Sequence, residues 1–210
     1  MNNSVGNTVR LIGAGLRALL VLTVVCGALY PLAVTGIAQA AFSRQANGSE
    51  VKDGTGTVVG SSLIGQSYGD DLRWFQPRPS AGLGQNTINT QYKLLVSGAS
   101  NKAADNPDLV KAVREAQQKV IADNTVPGFT PRLGQVPADA VTSSGSGLDP
   151  AISPAYAALQ IPRIAARNHL PVAQVEKLVA AHTEGRTLGF MGEPRVNVLE
   201  LNIALKSLTG

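Results

Sequence analysis

Apolar and polar positions follow two regimes along this chain. From Ala18 to Ser43 run 26 residues without a charge, and about 20 apolar residues suffice to carry a helix across a bilayer's hydrocarbon core. Ala38-Gln-Ala40 also offers a small-x-small cleavage site, as a secretory signal would. A signal's apolar stretch is about 7–15 residues long, however, so the length favours an uncleaved anchor. Pro31 cannot donate to the carbonyl four residues back and predicts a bend, while Gly36 and Ala40 leave a smooth strip for another helix.

Beyond the span the pattern shortens. Ser43 to Gly60 reads as a polar link with Gly48, Gly54 and Gly56. Val58–Gln66 and Trp74-Phe75 are short apolar pieces cut by glycine, as in the strands of a small sheet. Phe75 to Ala81 contains Pro77 and Pro79 and predicts a stiff turn. Gly82 to Asp105 is polar and irregular, the expected mobile loop.

Four helices follow. Asn106 caps the first, with Pro107 at its first position, Asp108 at its positive end, and Leu109, Val110, Val113, Ala116, Val120 and Ile121 on one face. The second starts at Ser153 and Pro154 and is kinked or broken by Pro162. The third runs from Pro171 to His182 and ends near Gly185. The last apolar segment is compatible with strand or helix; Asn197 with Glu200 resembles a capping pair and favours helix.

The fold class is therefore α+β: one N-terminal transmembrane helix, then a compact extracytoplasmic domain with a small sheet and three to four helices. Residues 1–17 form a cytoplasmic N-terminus, 18–42 the transmembrane helix, 43–57 a linker and 58–210 the domain. Arg10 and Arg17 precede the span, against Arg44 and Lys52 close after it, so the positive-inside rule tips the N-terminus inward.

Charge adds an exclusion. The formal net charge is +4, and removing Arg10 and Arg17 leaves +2 for the rest. Those bases are interspersed with acids and form no stripe, which argues against nucleic acid. Cys26, the sole cysteine, lies inside the apolar run, where it is a small apolar filler that has no partner for an intrachain disulfide.

The sequence carries no phosphate-binding G-x-x-x-x-G-K-[ST] loop, no H-E-x-x-H and no G-x-S-x-G elbow. Lys52-Asp-Gly-Thr-Gly56 holds the letters of a phosphorylated aspartate motif in the wrong order, and His169 with His182 falls short of a zinc ligand set. No catalytic or metal residues are assigned. One block invites a sharper reading: Thr142-Ser-Ser-Gly-Ser-Gly-Leu-Asp-Pro-Ala-Ile-Ser-Pro154. Ser143, Ser144, Gly145, Ser146, Gly147 and Asp149 form a candidate anion-binding or partner loop, with Gly145 and Gly147 suited to positive φ and Arg163 adding charge. A rigid connector into the Ser153 cap is the competing reading. Glu193, Arg195 and Asn197 are candidate partner-facing residues, unless the first two pair locally across Pro194.

This loop, together with Gln160-Ile-Pro-Arg163 and Leu188-Gly-Phe-Met-Gly-Glu-Pro-Arg-Val-Asn-Val-Leu-Glu-Leu-Asn202, closely resembles the C subunit of the Kdp-type potassium-transporting ATPases over most of the chain. The family's usual Ser-Gly-Gly-Ser-Asn-Leu-Gly-Pro-Thr-Asn stretch is here Ser97-Gly-Ala-Ser-Asn-Lys-Ala-Ala-Asp-Asn106, and a histidine usual in the loop is Ala151. The resemblance implies a noncatalytic subunit of the bacterial cytoplasmic (inner) membrane, partnered by a channel-like potassium-binding subunit, a P-type ATPase subunit and the lipid bilayer. It implies help with assembly or with ATP use as a catalytic chaperone, so ATP enters only through the complex and no cofactor is intrinsic. The alternative is a free-standing secreted or anchored extracytoplasmic binding protein.

Overall fold

The computed structural model describes residues 3–80, 82, 84–85 and 97–209, which fall into two compact units, 1–49 and 50–210. In the first, α1 (Asn3–Val24) passes through a π-helical turn at Val25–Leu29 into α2 (Tyr30–Ala41), and a short α3 (Ser43–Ala46) follows. Ser4–Ala41 is the one helix among the described residues long and apolar enough to cross a membrane. Its charge-free part, Ala18–Ala41, is about 36 Å long at 1.5 Å per residue, enough for the hydrocarbon core.

The π turn explains how the helix accommodates Pro31. The Tyr30 N–H donates to Val25 O, five residues back, and Pro31 then lies in the first turn of α2, where its missing N–H costs little. The expected disturbance takes this form, a local widening of the helix.

The second unit opens with a hairpin. β1 (Glu50–Lys52) lies in the stretch read as a polar link, and it pairs antiparallel with β2 (Val58–Ser61). Asp53 closes the turn by accepting from the N–H groups of Thr55 and Thr57. β3 (Gln66–Ser67) pairs parallel with β4 (Gly84–Gln85). Half of the expected mobile loop, residues 83 and 86–96, lies outside the described residues.

α4 (Pro107–Asp123) is capped by Asn106 Oδ1, which accepts from the N–H groups of Asp108 and Leu109. β5 (Ala151–Ile152) leads into α5 (Pro154–Asn168), whose first turn is held by Ser153 Oγ accepting from Tyr156 N. α5 runs unbroken through Pro162. The carbonyl that loses its donor is that of exposed Ala158, on the solvent side, where water can satisfy it. α6 (Val172–Ala181) precedes β6 (Thr183–Glu184), and β7 (Arg195–Asn197) leads directly into α7 (Val198–Thr209). β7 is the middle strand of a three-stranded antiparallel sheet, order β5-β7-β6, with Ile152 and Thr183 opposite Val196.

Phe75, Ile152, Ile164, Val175, Val196, Leu201 and Leu205 form the centre of the apolar core. Through it passes a polar network. Arg163, Gln160 and Asn202 are all fully buried. Asn202 accepts from Phe75 N at 2.9 Å and donates to Phe75 O at 3.0 Å. Gln160 does the same for Gln76, at 2.7 and 3.1 Å. Arg163 donates to the carbonyls of Leu72 and Trp74, to Asn124 Oδ1 and to Gln160 Oε1, and Asn168 donates to Arg73 O. The segment Leu72–Gln76 has no regular structure, yet each of its five carbonyls accepts from a side chain of α5 or α7.

Burial lowers the Arg163 guanidinium to about 10, so it stays charged at neutral pH. Arg163→Met leaves several buried acceptors without donors and should cost about 3–5 kcal/mol. Thermal unfolding of the detergent-solubilised chain tests this, and a loss under about 1 kcal/mol would remove the network from its central place.

Asp71 supports the same segment by accepting from Arg73 and from the Trp74 indole N–H. Its carboxyl lies below 3.8, chiefly through the Arg73 hydrogen bond. The folded state therefore binds this proton less tightly than the unfolded chain. The stabilisation is fully present above the unfolded value and is lost as pH falls through the folded one. Asp71→Asn should flatten the loss of denaturation midpoint as pH falls from about 4 to about 2; an unchanged slope would contradict this role.

Candidate functional site

β6 and β7 are joined by a hairpin whose end is apolar and exposed. Leu188, Phe190 and Met191 are 79, 70 and 51% exposed. The end is nonetheless well defined. Thr187 and Met191 exchange backbone hydrogen bonds of 2.9 Å in both directions, Phe190 N donates to Thr187 O, and Gly189 N donates to Arg186 O. Leu188 at φ 54° and Gly189 at φ 82° give two successive positive φ angles, as in a type I′ turn. Leucine is poorly suited to that conformation, which costs a residue with a Cβ about 1–3 kcal/mol.

Two ion pairs brace the stem. Arg186 meets both oxygens of Glu193 at 3.0 and 2.7 Å, and Arg195 Nε meets Glu184 Oε2 at 2.8 Å. Glu193 and Arg195 are therefore not each other's partners across Pro194. All four side chains are exposed, so each pair adds at most about 1 kcal/mol and serves mainly to hold the two arms in register. Asn197 lies further in: its Oδ1 caps α7 through Glu200 N, and its Nδ2 donates to Ser62 O at 2.8 Å. Both ends of its amide are committed to the fold.

The Ser/Gly loop is built differently from an open nest. Ser144 N donates to Pro79 O, Gly147 N to Ser144, and Leu148 N to Ser146 Oγ, so these amides are committed within the protein. The carbonyls of Ser146 and Gly147 accept from Gly98 N and Gly82 N, both at 2.9 Å, and Ser97 Oγ adds a 2.6 Å bond to Ser146 O. Only Gly147 of the two glycines has positive φ, at 71°. A Cβ there would lie 2.5 Å from Gly98 O, whereas one on Gly145 meets nothing within 4 Å.

Arg163 does not join this loop, correcting the sequence expectation; its guanidinium is spent in the core. The cation at the loop is Arg78, which reaches Asp149 Oδ2 at 3.1 Å and the carbonyls of Thr142 and Ser143. Asp149 also accepts from Ala151 N, and Ser143 remains exposed. The alternation Pro77-Arg78-Pro79 was the available signal for Arg78, since two fixed φ angles aim the side chain between them.

Among the described residues no three His, Cys, Asp or Glu side chains gather as a metal site. The elements describe a membrane-anchored module: one apolar helix long enough to span, then a compact unit of its own. Residues 12–207 match the family described as KdpC: K+-transporting ATPase, c chain. Proteins called potassium-transporting ATPase KdpC subunit are 64% identical in Streptomyces avermitilis, over 99% of this chain and 98% of theirs, and 61% identical in Streptomyces coelicolor, over 99 and 97%. That of Citrifermentans bemidjiense is 46% identical over 92 and 95%. This chain belongs to the KdpC family. It is accordingly a noncatalytic accessory subunit of a potassium-transporting ATPase complex, a single-pass protein of the bacterial cytoplasmic (inner) membrane with its compact domain outside.

Gly147→Ala should lower stability by about 1–3 kcal/mol, through positive φ and the collision with Gly98, while Gly145→Ala stays within about 0.5 kcal/mol. Paired thermal unfolding curves check this; equal effects would mean that the loop does not depend on the Gly147 contact.

Proposed function

We propose that this subunit holds together a complex for high-affinity, ATP-driven potassium uptake, docking on its larger partners through the Leu188–Met191 hairpin end. The partners implied are a channel-like potassium-binding subunit and a P-type ATPase subunit, and the anchor helix supplies a second contact within the bilayer. The observation that carries this reading is the cost the hairpin accepts. Three large apolar side chains stand in water and a leucine takes a strained φ, on a stem that is braced rather than loose. A rigid apolar anchor of this kind loses little entropy when it enters a partner's pocket. Glu193 and Arg195 then act as struts for the docking surface.

The effect on ATP use, the catalytic-chaperone role, belongs to the same proposal. With the compact domain outside the cytoplasm, direct contact with ATP is unfavourable. The influence passes through assembly and through the membrane helix, so no nucleotide site is assigned to the Ser143–Asp149 loop.

Leu188→Asn separates docking from folding, because asparagine tolerates positive φ. The variant chain should unfold at the same temperature or higher, while Leu188→Asn/Phe190→Ser retains under a tenth of the ATPase and channel-like subunits in a mild-detergent pull-down. Potassium-stimulated ATPase activity of the recovered complex should fall in parallel. Full copurification by the double variant would exclude the hairpin as the docking point.

A further inference from the structure

The π turn that lets the anchor helix accommodate Pro31 leaves acceptors behind it. In an α-helix the Tyr30 N–H would donate to Cys26 O, but here it donates to Val25 O. The next position in line is Pro31, which has no N–H. Cys26 O therefore has neither its α-helical nor its π-helical donor. Gly27 O loses its α-helical donor as well, because that position is again Pro31.

Where water reaches, such carbonyls cost little. Cys26, however, lies inside the charge-free run Ala18–Ala41, about 12 Å from its start and about 22 Å from its end at 1.5 Å per residue, within the hydrocarbon. In that medium a backbone polar group needs a partner from protein. Among the described residues no side chain of this helix supplies one. A helical serine or threonine reaches the carbonyl three or four residues before it, so only positions 29, 30 and 31 could serve Cys26 O and Gly27 O. Those hold Leu29, Tyr30 and Pro31. Tyr30 is 67% exposed, and its hydroxyl stands away from the backbone at the far end of the ring.

The approach from outside is open. A Cβ added to Gly27 would meet only Thr23 Cγ2, at 3.9 Å, so no side chain there keeps a neighbouring helix at a distance. A lipid tail fills such a notch but has no donor. A second copy packed symmetrically at Gly27 would bring Thr23 a turn short of the carbonyl and Tyr30 with a ring too long for that close contact. The donor belongs to a different helix.

We propose that this turn is a hydrogen-bonding site between subunits: a hydroxyl or amide side chain on a transmembrane helix of a larger partner donates to the Cys26 carbonyl, and Gly27 admits the close approach. The inference rests on the reading that the chain assembles with larger membrane subunits. Pro31 then acts in recognition, by keeping an acceptor free for the partner.

Cys26 is the only cysteine in the chain, so cysteine labelled with carbon-13 at its carbonyl marks this one group. A carbonyl resonance moves downfield when its oxygen accepts a hydrogen bond. The labelled full-length chain is compared alone in detergent and after recovery from membranes that carry the other, unlabelled subunits. The Cys26 resonance should lie upfield in the chain alone at every chain concentration, and move downfield in the complex. In Pro31→Ala, whose restored N–H lets the helix satisfy itself, it should lie downfield from the start and stay there on assembly. Copurification without a shift would overturn this inference and leave the proposed docking intact, whereas failure to copurify would remove both. A downfield shift on concentrating the chain alone would make the donor a second copy, and a resonance already downfield in the dilute chain would mean that the carbonyl is satisfied without a partner; either result overturns the proposal.

Discussion

Arg163, Gln160 and Asn202 do for the segment Leu72–Gln76 what a neighbouring strand would do. A chain crossing a core without regular structure strands its peptide groups away from water, and each unpaired group costs about 1–3 kcal/mol. Here Asn202 and Gln160 each serve both the N–H and the C=O of one residue, and Arg163 takes two carbonyls more. Phe75 can consequently be fully buried on a segment that belongs to no sheet. A guanidinium suits this task because its several donors lie in one rigid plane, a geometry that lysine cannot supply.

From that clamp the rest of the domain takes its positions. Directly after Gln76, Pro77 and Pro79 carry the chain stiffly away, so Arg78 emerges where it can reach Asp149 and the Thr142 and Ser143 carbonyls. Pro79 O in turn receives Ser144 N. The Ser/Gly loop is thus tied on one side to the clamped segment and on the other to Gly82 and Gly98, with Gly147 in the middle because no side chain fits there. Asp149 and Asp139 pass this order on to the start of α5, through Ala151 N and through both the N–H and the hydroxyl of Ser153.

What was legible in the sequence was local. The apolar run defined the anchor, and Asn106, Ser153 and Asn197 marked helix starts because a cap needs a side-chain acceptor only two or three residues from its donor. The pairings that decide the interior join residues 84 and 127 positions apart, and no periodicity records them. Arg163 was accordingly assigned to the serine loop, near in sequence and chemically apt, when its carbonyl partners lay far upstream. Pro162 looked like a helix breaker because a sequence does not say which side of a helix faces water. A local pair between Glu193 and Arg195 stayed open as the alternative to a partner-facing role because the hairpin that separates them onto different ion-pair partners is a tertiary arrangement.

The contrast between the interior and the hairpin end separates structural from functional residues. Inside, Arg163, Gln160 and Asn202 are matched to the backbone of Leu72–Gln76, so their presence follows from folding alone. At Leu188–Met191 folding offers no such reason. A glycine or asparagine would hold the turn with less strain, and polar side chains would sit more comfortably in water. Stability therefore cannot account for the residues found there. Under the proposed docking role they have a use: the exposed apolar end would make up in contact with a partner what it forfeits in the free subunit, and the braced stem would ensure that little of that gain is lost in ordering the loop.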